Sequence, residues 1–140
     1  MLNGSPHGFF KSNRGMRQED PLSPCFFVLV MKFWSITMDI AIASGDISPL
    51  RKNGKMVVFH LLFADDMLVY CKGDRRSGNG LNFALQILEW YIGLVINKGK
   101  NKVFFSKGCC HKEDIADILG VSSGQLPIRF LGVPLTRVYP

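Results

Sequence analysis

The stretch "HLLFADDMLVYC", residues 60–71, sets two carboxylates side by side between two short apolar runs. Residues 60–63 and 67–70 have the apolar and aromatic content of buried strands. Ala64, Asp65 and Asp66 fall where a tight turn would join them. Two adjacent carboxylates repel, and in a partly buried site one of them is driven to take up a proton. A divalent cation removes that conflict, because it is the largest local charge and keeps both acids ionised. A strand, a two-acid turn and a return strand therefore make a platform for Mg²⁺. The same letters also fit an ordinary solvated hairpin turn, so the neighbouring sequence has to decide.

The 140 residues suit one domain, or part of a larger one. An apolar share of 47% is enough for a packed core and argues against disorder. Seventeen Lys and Arg against eleven Asp and Glu leave +6, an excess that favours polyanionic partners. Cys25, Cys71, Cys109 and Cys110 contain no C-x-x-C pair, which argues against a zinc site of usual spacing. Cys109, Cys110 and His111 form at most a partial ligand set, and unpaired thiols of a reducing compartment are the simpler reading. The opening "MLNGSPHGFF" is polar and turn-rich, unlike a signal peptide. Residues 25–43 are apolar, but Lys32, Ser35 and Asp39 fall on one helical face. That stripe reads as an amphipathic helix rather than a membrane span, and no membrane partner is expected.

Along the chain the elements alternate without repeats or linkers. Residues 1–3 and 9–12 suit short strands around the turn "GSPHG". Ser23 as N-cap and Pro24 as first helical residue predict a helix over 24–44 that stops at Gly45. "SGDISPLRKNGK" reads as a loop or irregular hairpin before the acidic turn, and "KGDRRSGNG" as a polar connection after it. A second helix is expected over 81–92, with Leu81, Ala84, Leu85, Leu88, Tyr91 and Ile92 on one stripe and Gly93 at its end. A strand over 103–106, a short helix over 112–119 closed by Gly120, and a strand pair or bent strand over 128–135 complete the pattern. The fold class is α+β, with an antiparallel sheet covered by helices on one face.

The segment upstream of the acidic turn narrows the reading. "RGMRQEDPLSP", residues 14–24, closely resembles the R-G-x-R-Q-G-D-P-L-S-P segment of reverse transcriptases of non-LTR, LINE-type retrotransposons, especially plant ones. In that family it is followed some distance on by F-A-D-D between apolar strands, here residues 63–66. "GLVINKGK" (93–100) is similar to the family's G-L-x-I-N-x-x-K segment, and "FLGVPL" (130–135) to its last palm motif. "NGSPHGFFKSNRG" (3–15) matches the strand turn before the first motif, so the resemblance spans nearly the whole chain.

The resemblance implies an RNA-directed DNA polymerase, in which two Mg²⁺ ions clamp the attacking and leaving oxygens of nucleotidyl transfer. It implies that Asp65 and Asp66 are catalytic and metal-binding, with Asp65 the main ligand and Asp66 assisting. Oxygen-only donors suit Mg²⁺, with Mn²⁺ as a substitute. Gln18 matches a residue beside the incoming nucleotide and template, and Arg14 and Arg17 are candidates for phosphate contacts or ordinary loop cations. Lys100 matches a lysine near the departing pyrophosphate, although it also sits in a basic run with Lys98, Lys102 and Lys107. Residues 130–135 correspond to the primer grip. The implied partners are an RNA template, a DNA primer and deoxynucleoside triphosphates, and a family enzyme would act at chromosomal DNA in the nucleus. Trp34, Trp90, Phe26 and Phe27 are read as packing residues, and His60 as a strand residue without a catalytic part.

Two departures stand out. Glu19 replaces the family's glycine between Gln18 and Asp20, adding bulk and negative charge beside a triphosphate site. The family's third metal-binding acid lies on a strand upstream of the quoted motifs, with the fingers, and the thumb lies downstream. The 140 residues are thus expected to be a C-terminal part of the palm, inactive alone. The alternatives are a basic nucleic-acid-binding fragment, a decayed transposon remnant or, within the enzymes, a group II intron type.

Overall fold

The computed structural model describes residues 20–52, 55–56, 59–63, 66–93, 95–130 and 132–135. The expected strands at 1–3 and 9–12, and the loop holding Arg14, Arg17, Gln18 and Glu19, lie outside them. Helix α1 (Ser23–Ala43) comes first. Ser23 is its first residue rather than its cap, and Leu22 at the cap position makes no side-chain hydrogen bond. Asp20 does that work instead, its carboxylate accepting from the Leu22 N–H at 2.9 Å and its carbonyl from the Ser23 N–H at 3.0 Å. The helix ends at Ser44, and Gly45 takes the left-handed conformation (φ 77°) that a side chain would resist.

A two-residue ladder, β1 (Arg51–Lys52) with β2 (Lys55–Met56), follows as the irregular hairpin. The acidic hairpin pairs β3 (His60–Phe63) with β4 (Asp66–Val69). Helix α2 (Arg75–Ile92) begins six residues before its expected start at 81, so most of the polar connection is helical. Asp74 is the reason. Its side chain accepts from the Ser77 N–H at 2.8 Å, a cap that composition alone hides. The stripe along α2 is as expected except that Tyr91 is exposed, and Gly93 closes the helix in the left-handed region.

Strand β5 (Lys102–Phe104), helix α3 (Lys112–Leu119) and strand β6 (Ser122–Gly124) form a compact crossover unit. β5 and β6 pair in parallel, because the interposed helix returns the chain in the same direction. A last antiparallel pair joins β7 (Ile128–Phe130) to β8 (Val133–Leu135). The α+β class therefore holds. Its described strands form four separate two-stranded ladders, three antiparallel and one parallel.

The core gathers Trp34 and Met38 of α1, Ile47, Phe59, and Ala84 and Leu88 of α2, with Leu62 and Val69 of the acidic hairpin packed against it. Helix α2 lies between α1 and α3. Gly80 permits this, since a Cβ there would stand 2.6 Å from the Asp46 carbonyl oxygen. On the α3 side, Ile115 packs 3.5 Å from the Cβ position of Gly78.

Candidate active-site hairpin

The four-residue strands β3 and β4 pair in the order His60–Val69, Leu61–Leu68, Leu62–Met67, Phe63–Asp66. The ladder continues one step at its base, where the Tyr70 N–H donates to the Phe59 carbonyl at 2.8 Å. Along β3 the side chains alternate as the pleat requires. His60 and Leu62 are half-buried toward the core, while Leu61 and Phe63 are exposed. Asp66 opens β4 opposite Phe63 and is exposed. Asp65 lies outside the described residues.

Lys100 is exposed in the turn after Asn97, whose side-chain and backbone oxygens accept from its backbone N–H at 3.2 and 3.1 Å. No hydrogen bond or ion pair among the described residues joins it to the hairpin. The pair Phe130–Val133 fixes the last motif as a hairpin, with Gly132 at φ 80°.

The fit of a divalent cation can be judged from the donors. Asp66 offers an exposed carboxylate, the hard oxygen donor that Mg²⁺ prefers, next in sequence to a second one. Among the described residues no group of three or more His, Cys, Asp or Glu side chains stands close enough to hold a metal. That also removes Cys109, Cys110 and His111 as a described ligand set. Cys109 Sγ instead contacts the Gly73 carbonyl at 3.4 Å, and His111 Nδ1 pairs with Asp114 at 3.4 Å. Burial, reinforced by the Asp74 charge, pushes the Cys71 thiol up to about 11, so it stays protonated at neutral pH.

A groove of about 680 Å³ opens between α1 and α2, lined by residues such as Ile40, Ala41, Phe83 and Ile87, with Asp46 and Arg76 at its polar end. None of its lining residues belongs to the acidic hairpin. By length and composition α1 is apolar enough to cross a membrane, yet Trp34 and Met38 are fully buried in the protein core.

One hairpin contact escapes a reading of motifs. His60 Nε2 lies 3.3 Å from Ser35 Oγ of α1. The signal was the alternation itself, which puts a polar residue at an inward position two before Leu62.

A family model described as "Reverse transcriptase (RNA-dependent DNA polymerase)" matches residues 1–135. An uncharacterized mitochondrial protein of Arabidopsis thaliana is 40% identical over 67 residues, covering 47% of this chain and 55% of that protein. The matched region thus spans about half the length of that relative. No solved structure matches the chain.

Proposed function

The chain belongs to the reverse transcriptase (RNA-dependent DNA polymerase) family, matched over residues 1–135, and we propose that it carries the acidic hairpin of a non-LTR, LINE-type, plant-like palm. The observation that supports this most is the ladder, which sets Asp66 opposite Phe63 at the exposed end of two paired strands, with Asp65 next to it in sequence. Asp65 and Asp66 would hold the divalent cation. When bound, Mg²⁺ or Mn²⁺ supplies charge compensation at a triphosphate and lowers the pKa of an attacking hydroxyl. The two carboxylates keep that charge at the hairpin tip, where a primer end can meet a nucleotide. Gln18 orients the nucleotide against an RNA template, Arg14 and Arg17 contact phosphate, and Lys100 donates a proton or charge to the leaving pyrophosphate. Residues 130–135 position the DNA primer. Two-metal transfer needs a third carboxylate besides Asp65 and Asp66, and Glu19 brings a negative charge beside Gln18.

RNA-templated primer extension tests this with four proteins. They are the chain, the chain joined to an upstream acid strand and fingers, and each of these with Glu19→Gly. Only the extended Glu19→Gly form should incorporate nucleotides. A misplaced charge at a phosphate site costs a few kcal/mol, or about a hundredfold in rate. Incorporation by the unaided chain would overturn the incomplete-site reading, and equal activity of both extended forms would acquit Glu19. The second reading, a loose polyanion binder, draws on the exposed Lys98, Lys100 and Lys102 and the charge of +6. It requires RNA affinity that falls steeply with salt and is indifferent to Asp65→Asn.

A further inference from the structure

We infer that His60 is a positioning residue for the acidic hairpin, an imidazole whose Nε2–H donates to Ser35 and pins the base of β3 to α1. The inference rests on the reading of Asp65 and Asp66 as the metal-binding acids.

The tautomer follows from counting protons. Ser35 Oγ lies 3.0 Å from the Met31 carbonyl, four residues back along α1, and 3.3 Å from His60 Nε2. A hydroxyl has one proton to give. If Ser35 gives it to Met31, its lone pair faces His60, and Nε2 must be the donor. Both contacts are then hydrogen bonds, and Nδ1 keeps only a bare lone pair. In the opposite arrangement Ser35 donates to Nε2 and the ring proton moves to Nδ1. That atom is buried and has no partner among the described residues. An orphaned N–H there loses its water and gains nothing. Phe59, itself 6% exposed, meets the ring edge-on at 5.5 Å and 86°, which holds the imidazole plane.

The contact matters because of where it lies. Two four-residue strands are a marginal unit in water. At the far end of the ladder the Asp66 side chain is exposed and makes no hydrogen bond or ion pair among the described residues. The direction in which the tip points is therefore inherited from the base. There the His60–Val69 pair sits over α1, and Leu62 adds apolar packing without direction. A hydrogen bond supplies the missing angular restraint.

The test uses the full chain with ¹⁵N-labelled histidine, of which it has three, His7, His60 and His111. Long-range ¹H–¹⁵N spectra should show His60, assigned by its loss in His60→Phe, as the Nε2–H tautomer, with its Nε2 signal displaced by Ser35→Ala. Amide exchange across residues 61–69 should quicken about tenfold in Ser35→Ala and in His60→Phe, the loss of one hydrogen bond. His60→Gln keeps an N–H donor and should recover part of that protection. Mn²⁺ affinity should fall several-fold in Ser35→Ala and vanish in Asp65→Asn. An Nδ1–H tautomer, or exchange over 61–69 unchanged by Ser35→Ala, would overturn the inference. Mn²⁺ binding indifferent to Asp65→Asn would instead overturn the reading of the acids, while tautomer and exchange still judge the pin.

Discussion

Helix α1 has 21 residues and fully buries two, Trp34 and Met38, whereas α2 has 18 and buries Ser77, Gly78, Gly80, Ala84 and Leu88. Their ends differ in the same sense. Helix α2 is capped by Asp74, closed by the left-handed Gly93, and extended by Glu89, whose carboxylate accepts from the Ile96 N–H at 2.8 Å. Helix α1 has no side-chain cap of its own, no acidic residue in its first turn and no basic one in its last. Its apolar side chains nevertheless stand largely in solvent, with Val28 at 65%, Leu29 at 63% and Ile40 at 63% exposure. The difference teaches how two neighbouring helices can be held by different means. Local devices and close backbone approach define α2, while two large side chains anchor α1 and leave an apolar face uncovered.

The sharpest way to break this contrast is to remove the anchor. Trp34→Ala should destabilise the chain by about 3–5 kcal/mol in urea titration, a large share of the roughly 5–15 kcal/mol that holds a domain folded. Trp34→Phe should cost less than about 1.5 kcal/mol, because it preserves most of the volume and discards an indole N–H that is buried without a partner among the described residues. A small loss in Trp34→Ala would mean that α1 is anchored elsewhere.

A smaller effect is expected at the α2 cap, where Asp74→Ala should cost about 1 kcal/mol. Burial alone would raise the Asp74 carboxyl, but the Ser77 N–H and hydroxyl and the Lys72 charge outweigh it and hold the pKa below its ordinary 3.8. A folded-state pKa below the unfolded one gives stability that is complete above the unfolded value. That stability is lost as pH falls from 3.8 through the folded value. The gap between wild type and Asp74→Ala should therefore be widest near neutrality and close in acid. A gap independent of pH would show that the cap acts only through shape.

Least of all should be felt on the exposed face of α1. Leu29→Lys is expected to change unfolding stability by less than about 0.5 kcal/mol at high dilution. Sedimentation velocity should show weaker self-association, since an apolar patch of this kind invites contact. A cost as large as that of the cap would mean that Leu29 is covered.

Much of this was legible in the letters. The acidic hairpin announced itself because apolar runs on both sides of two acids leave few other pairings, and the order of the four motifs carried the family. Helix α3 and the stripe of α2 followed from periodicity and their terminal glycines. The first turn and a half of α2 was hidden, because Arg, Ser, Gly and Asn in "RRSGNG" weigh toward a loop until Asp74 is seen capping Ser77 and the glycines are seen packed. The parallel β5–β6 pair was equally invisible, since three-residue strands such as "SSG" have no pattern of their own. The part played by His60 is hidden too, because its partner Ser35 lies 25 residues away on α1 and only packing brings the two together.

The approach of Gly80 to Asp46 also sets a rule for changes of chain length. From Asp74 onward each inserted or deleted residue turns the rest of α2 by about 100°. A single insertion between the cap and Gly80 would thus swing a side chain against the Asp46 carbonyl, where a Cβ has only 2.6 Å. The same insertion would carry Ala84 and Leu88 away from Trp34. Residues 75–79 resemble a spacer in composition, yet they are a counted distance, and their number is fixed more tightly than their identity.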